Sequence, residues 1–231
     1  MFRREKKKQK TIYHGSQNKI EKPIFGYGKA YNDYGLGFYC TEELDLAKEW
    51  AVDFKQDGFV NHYILDMTGL NVLYLNNEPY CTLHWLALLL VNRRFDASAG
   101  LARSAKEYIL DNFLLDISGY DVIVGYRADD SYFSFAQDFI SGTISYRQLN
   151  NAMYLGNLGE QIVLKSKNAF DAITFVEAKC VSANEWYAKK ATRDNEARNA
   201  YFSLERNRYQ KGDLYITQIL DEEMKADDPR L

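Results

Sequence analysis

Tyr120-Asp121-Val122-Ile123-Val124-Gly125-Tyr126 is a near-continuous apolar run, and such a run belongs in the middle of a sheet covered on both faces. Gln161-Ile162-Val163-Leu164 is a second core strand, and Ile173-Thr174-Phe175-Val176 the last clear one. Thr11–Tyr13 and Gly37–Thr41 read as short strands. Val60–Met67 and Leu70–Leu75 read as two more, joined by a Thr-Gly turn. Helical spacing fills the intervals. Thr41 is placed to cap a helix whose first turn carries Glu42 and Glu43, with Leu44, Ala47, Ala51 and Phe54 as its apolar face. Pro79 opens a strongly apolar helix, followed by helices over Ser104–Leu115, Ser131–Ile140 and Ser145–Tyr154. Strands and helices mix without regular βαβ alternation, so the expected class is α+β.

Of the 231 residues 46% are apolar and 15% aromatic, enough for a large core. The net charge of −3 is too small for bulk attraction to nucleic acid or membrane. It is unevenly spread: Arg3, Arg4, Lys6, Lys7, Lys8 and Lys10 make residues 1–10 a basic, flexible terminus. One domain is expected over 11–180. A charged, loosely periodic helical extension is expected over 181–231, packed on that domain. Cys40, Cys81 and Cys180 are scattered, and His14, His62 and His84 lack ligand spacing, so neither disulfides nor a metal site are expected. His62 and His84 read as structural. The basic start runs into Thr-Ile-Tyr-His rather than a long apolar stretch, and Trp85–Val91 is too short to span a bilayer. A reducing cytoplasm is the default expectation, with no membrane partner.

The chemistry concentrates in Tyr13-His14-Gly15-Ser16 and Gly35-Leu36-Gly37-Phe38-Tyr39-Cys40-Thr41. An imidazole at His14 can bond a ribose hydroxyl, Gly15 lets the backbone approach a carboxamide, and the Tyr39 ring offers a face on which nicotinamide can stack. Between the two motifs runs a long Gly-, Tyr- and Asn-rich loop; Tyr27, Tyr31 and Tyr34 on it are candidates for a second wall around NAD. Cleaving NAD at its nicotinamide–ribose bond builds positive charge on the anomeric carbon, as in glycoside cleavage, and calls for a group that binds the ribose 2′-hydroxyl and counters that charge. Glu160 stands at a loop-to-strand junction suited to that role. Gln161 faces the other way by strand alternation, and the sequence leaves the choice between them open. Arg127, just after a core strand, can pair with a pyrophosphate or with an acidic group of a target, and Asp129 and Asp130 can cap the helix that follows.

At IYHGS, DYGLGFYCT with the Ala-Lys-Glu-Trp-Ala helix behind it, DVIVGYRADDSYF and EQIVLKSKNAF, the chain resembles the His-Tyr-Glu/Gln branch of the ADP-ribosyltransferase superfamily. It is most similar there to a bacterial family of unknown function often encoded beside small antitoxin-like partners. The resemblance implies two small facing sheets with NAD in the cleft between them, and a triad of His14, Tyr39 and Glu160 or Gln161. Gly15, Ser16, Tyr34 and Arg127 are the further candidates for holding NAD. The expected activity is mono-ADP-ribosylation of a protein or nucleic-acid target with release of nicotinamide, in a toxin or effector held by a small inhibitor. NAD hydrolysis and non-catalytic NAD or ADP-ribose binding are the alternatives.

Overall fold

The computed structural model of the chain describes residues 9–128, 130–155, 159–205 and 208–231. Its described strands are β1 (Gln9–Ser16), β2 (Phe38–Cys40), β3 (Gly58–Asp66), β4 (Val72–Tyr74), β5 (Val122–Tyr126), β6 (Glu160–Leu164) and β7 (Ile173–Val181). The helices are α1 (Leu44–Ala51), α2 (Thr82–Asn92), α3 (Gly100–Phe113), α4 (Asp130–Ile140), α5 (Tyr146–Ala152), α6 (Lys167–Asp171), α7 (Ala183–Ala200) and α8 (Ile216–Asp221). The class is α+β, with two small sheets.

One sheet is antiparallel in the order β1-β3-β7; the other has the order β2-β6-β5-β4, with β4 and β5 parallel. Strand alternation explains the apolar runs of the second sheet. Val122, Val124, Ile162 and Leu164 share one core with Ile12, Tyr63 and Leu65 of the first sheet, together with Phe38 and Cys40 of β2. Ile123, Val163 and Leu73 point the other way, into a larger core built with α2, α3 and α4. The sheets are also stitched edge to edge. Tyr13 N–H donates to the Thr41 carbonyl at 2.8 Å, and Thr41 N–H donates back at 2.9 Å.

Helix α1 lies hard against the first sheet, and two glycines make that possible. A Cβ on Gly15 would sit 2.0 Å from the Ala47 carbonyl oxygen, and one on Gly58 would sit 1.7 Å from that of Ala51. Ala47 and Ala51 are buried as expected. Leu44 is 40% exposed and Phe54 64% exposed, because the helix stops at Ala51 and the buried stripe runs through Leu46 instead. Glu43 N–H donates to the Thr41 hydroxyl at 3.1 Å, which holds the start of the helix.

Two strand expectations change. The Thr-Gly turn does connect β3 to β4, but it carries the chain from one sheet to the other. β1 and β7 are longer than their apolar cores, since each extends as a half-exposed strand through polar residues. The C-terminal segment is woven into the core: Tyr201 stacks on Phe135 with ring centroids 3.9 Å apart, and Ile216, Ile219 and Met224 are buried. Helix α2 is buried over most of its surface, and His84 on it accepts the Cys81 N–H at 3.0 Å as a helix cap. Arg3, Arg4, Lys6, Lys7 and Lys8, along with Asp129, lie outside the described residues. Lys10 pairs with Glu42. Among the described residues no helix is long and apolar enough to cross a membrane.

Candidate functional site

Between the sheets and the long loop lies a cavity of about 750 Å³, within the size range of small-molecule sites. His14 and Gly15 of β1, Tyr39 of β2, Gln161 of β6 and Arg127 after β5 all line it. The loop before β2 forms one flank, Trp50 of α1 another, and Lys190, Asp194 and Arg198 of α7 a third. The C-terminal extension therefore supplies part of the wall.

His14 Nδ1 lies 2.7 Å from the Tyr39 carbonyl oxygen. A carbonyl only accepts, so Nδ1 carries the hydrogen and Nε2 keeps its lone pair. Burial pushes the His14 pKa below its ordinary value, against the opposing pull of that bond, which favours the neutral ring. The Phe38 ring packs on the imidazole at 4.3 Å between centroids and fixes its plane.

The Tyr39 hydroxyl is tied into the loop. It donates to the Gly35 carbonyl and accepts the Tyr34 N–H at 3.1 Å. Gly35 takes φ of +72°, the left-handed region that glycine enters without strain. Lys165 Nζ closes the turn by donating to the Tyr34 and Leu36 carbonyls. The segment from Asp33 to Gly37 is thus held rigidly although it is loop.

Gln161 and Glu160 separate by strand alternation. Gln161 is 4% exposed and lines the cavity, donating through Nε2 to Asp33 Oδ2 at 2.7 Å. Glu160 is exposed, does not line the cavity, and accepts from Asn76 Nδ2 at 2.8 Å. Two further expected contacts fall elsewhere. Tyr34 is only 1% exposed, and its hydroxyl donates to the Tyr126 carbonyl at 2.6 Å across the gap left by Gly125, so it is a core residue. Ser16 ends β1, with its hydroxyl donating to the Asn18 carbonyl at 2.6 Å, a turn-forming role. Of the other loop tyrosines, Tyr27 lines the cavity and Tyr31 does not.

Among the cavity residues that sequence reasoning missed are Asp33 and Trp50. Asp33, 5% exposed, accepts the Ala128 N–H at 2.8 Å as well as the Gln161 amide, and Arg93 Nη1 stands 3.3 Å from its Oδ1. Burial pushes its pKa up, while the two donors and the charges of Arg93 and Arg127 pull it back. Among the described residues Trp50 Nε1 is buried without a hydrogen-bond partner, and the Arg127 guanidinium lies 4.7 Å from the ring centroid. An indole N–H left unpaired costs free energy. The Asn32-Asp33-Tyr34 stretch carries no local sign that its aspartate is buried.

Residues 10–175 match the model of a family described as a protein of unknown function, DUF3990, and the chain belongs to that family. No curated protein and no solved structure matches it.

Proposed function

We propose that this DUF3990 member binds NAD in the cavity, breaks its nicotinamide–ribose bond and transfers ADP-ribose to a protein or nucleic-acid acceptor. The observation that carries the reading is the convergence of His14, Tyr39 and Gln161, far apart in sequence, on one cavity that also holds Gly15 and Arg127. In this reading His14 Nε2 accepts a ribose hydroxyl, the Tyr39 ring carries the nicotinamide, and the Gln161 amide binds the ribose next to the breaking bond. The lining is rich in cations, with Lys19, Lys22, Lys29, Arg93, Arg127, Lys190 and Arg198 against Glu21, Asp33 and Asp194, which suits a pyrophosphate. The C–N electron pair leaves with nicotinamide; the acceptor's lone pair forms the new bond to the anomeric carbon and its proton passes to solvent.

One observation favours a second reading. Gln161 brings no charge of its own to the developing cation, as a module that binds NAD or ADP-ribose without cleaving it would have. Incubating the protein with NAD labelled on its adenylate half, with and without cell lysate, separates the cases. Nicotinamide release with label on macromolecules supports transfer. Release with free ADP-ribose alone indicates hydrolysis, and binding without release indicates the module.

A further inference from the structure

We propose that Asp33 is a positioning residue that acts through Gln161, orienting its amide and supplying the fixed negative charge that the amide lacks; this rests on the NAD-cleaving reading above and deepens it. The carboxylate is buried in the cavity wall, within one hydrogen bond of the residue that faces the ribose in that reading. Because Gln161 Nε2 donates to Asp33 Oδ2, the amide cannot flip, and its oxygen remains the acceptor for a ribose hydroxyl. The same contact polarises the amide toward a more negative oxygen.

Placement and cost both point to this use. A buried carboxylate is expensive, and one that served packing alone would have both oxygens hydrogen-bonded. Oδ2 accepts two donors, whereas Oδ1 accepts no hydrogen bond among the described residues and has Arg93 Nη1 at 3.3 Å. The Asn92 amide also donates to the Asp33 carbonyl at 3.2 Å, and Lys165 and the Tyr39 hydroxyl lock the residues that follow. The fold thus holds a charged group rigidly in a low-dielectric wall, where its field on a developing cation is strongest. During the reaction the pair exchanges no proton. The bond broken is the ribose C–N bond, the electron pair departs with nicotinamide, and the Ala128 and Gln161 donors with the Arg93 and Arg127 charges favour the ionised carboxylate against the upward push of burial.

The arrangement also explains why a glutamine serves at position 161. A glutamate there would put two carboxylates at hydrogen-bond distance, and like charges so close repel and raise the pKa of one of them.

The test is nicotinamide release by the purified full chain, with kcat and KM for NAD measured for wild type, Asp33→Asn, Gln161→Glu and the double variant, each checked for a wild-type melting curve. Asp33→Asn is expected to lower kcat at least thirtyfold with KM changed less than threefold. Gln161→Glu alone is expected to lower kcat at least tenfold. The double variant, which moves the charge from residue 33 to residue 161, is expected to recover at least tenfold over Asp33→Asn. Wild-type kcat in Asp33→Asn, or no recovery in the double variant, overturns the proposal while leaving the NAD reading intact. A wild-type protein that releases no nicotinamide, either alone or with cell lysate as the source of acceptor, overturns both. Should Asp33→Asn not fold, Gln161→Glu decides. Arg93, Arg127, Tyr34 and Tyr39 face the pair and His14 shares its cavity, so the turnover of Gln161→Glu is read as its ratio to wild type at each pH, which cancels the protonation of His14. A fall in turnover that acidification partly reverses, as the added carboxyl takes a proton, supports the proposal. A rise in turnover overturns it.

Discussion

His14 Nδ1 and the backbone carbonyl of Tyr39 stand 2.7 Å apart, so one strand's side chain is oriented by the other strand's backbone. The bond joins the two sheets at the edge where Tyr13 and Thr41 also pair, and it fixes which imidazole nitrogen is left to accept. Burial holds the His14 pKa below its ordinary value of 6.5.

The pH dependence follows from that direction. Below about pH 6.5 an unfolded chain binds a proton that the folded chain refuses, so this group's contribution to stability falls as pH drops toward the folded pKa. Protonation of the folded site also removes the Nε2 lone pair and, on the NAD-binding reading proposed above, is expected to lower NAD affinity. Melting temperatures and NAD titrations between pH 5 and pH 8, for wild type and His14→Ala, isolate the term. The wild type is expected to lose more on acidification than the variant. Parallel curves would show that His14 does not titrate as described.

Gly15→Ala is expected to destabilise the fold by about 3 kcal/mol, at the upper end for overpacking, because the nearest atoms are the Ala47 carbonyl oxygen at 2.0 Å and the Ala51 nitrogen at 2.6 Å. Both belong to helix backbone and cannot rotate aside. Urea denaturation measures it, and a loss within about 0.5 kcal/mol, the range of ordinary surface substitutions, would mean α1 sits farther from β1.

Gly125 and Tyr34 form a coupled pair. A Cβ on Gly125 would lie 2.3 Å from the Tyr34 hydroxyl but 3.1 Å from the ring carbon that bears it. Gly125→Ala should therefore cost at least about 1 kcal/mol less in a Tyr34→Phe background than in wild type, a coupling of the size found between contacting residues. Tyr34→Phe alone should cost about 1 kcal/mol for its lost hydrogen bond to the Tyr126 carbonyl, which Trp85 Nε1 continues to serve at 3.2 Å. A denaturation double-mutant cycle reads both values; additivity would contradict the contact.

Lys165→Met should leave the core intact yet loosen the turn from Asp33 to Gly37, since two carbonyls lose their shared donor. Burial already depresses this ammonium's pKa, so the substitution also relieves a desolvation cost. Amide exchange at residues 33–37 is expected to quicken while β5 and β6 keep their protection. NAD affinity should weaken about tenfold, equivalent to about 1.4 kcal/mol. Unchanged exchange in the turn would show that the lysine does not hold it.

The parts of this fold legible in the sequence are those whose signal is local. β5 and β6 were readable because both of their faces are buried, which leaves an unbroken apolar run. The ends of β1 and β7 were not, because those residues are half-exposed and their pairing partners are distant in sequence. His14, Gly15 and Tyr39 stood out because glycines flank them in short motifs, and the cavity gathers all three. Tyr34 and Asp33 could not be assigned, since burial of the first depends on Gly125 and the partners of the second are Gln161, Ala128 and Arg93. Which of Glu160 and Gln161 lines the cavity depends on strand phase, which the pairing of Gln161 with Gly125 and of Glu160 with Tyr126 supplies.

The most direct measurement is nicotinamide release from NAD by wild type, Glu160→Gln and Gln161→Ala side by side. The account predicts release by the wild type, unchanged within about twofold in Glu160→Gln, whose side chain stands outside the cavity, and lowered about a hundredfold or more in Gln161→Ala, as for loss of one stabilising donor in comparable sites. Full release by Gln161→Ala, or none by the wild type, would contradict it.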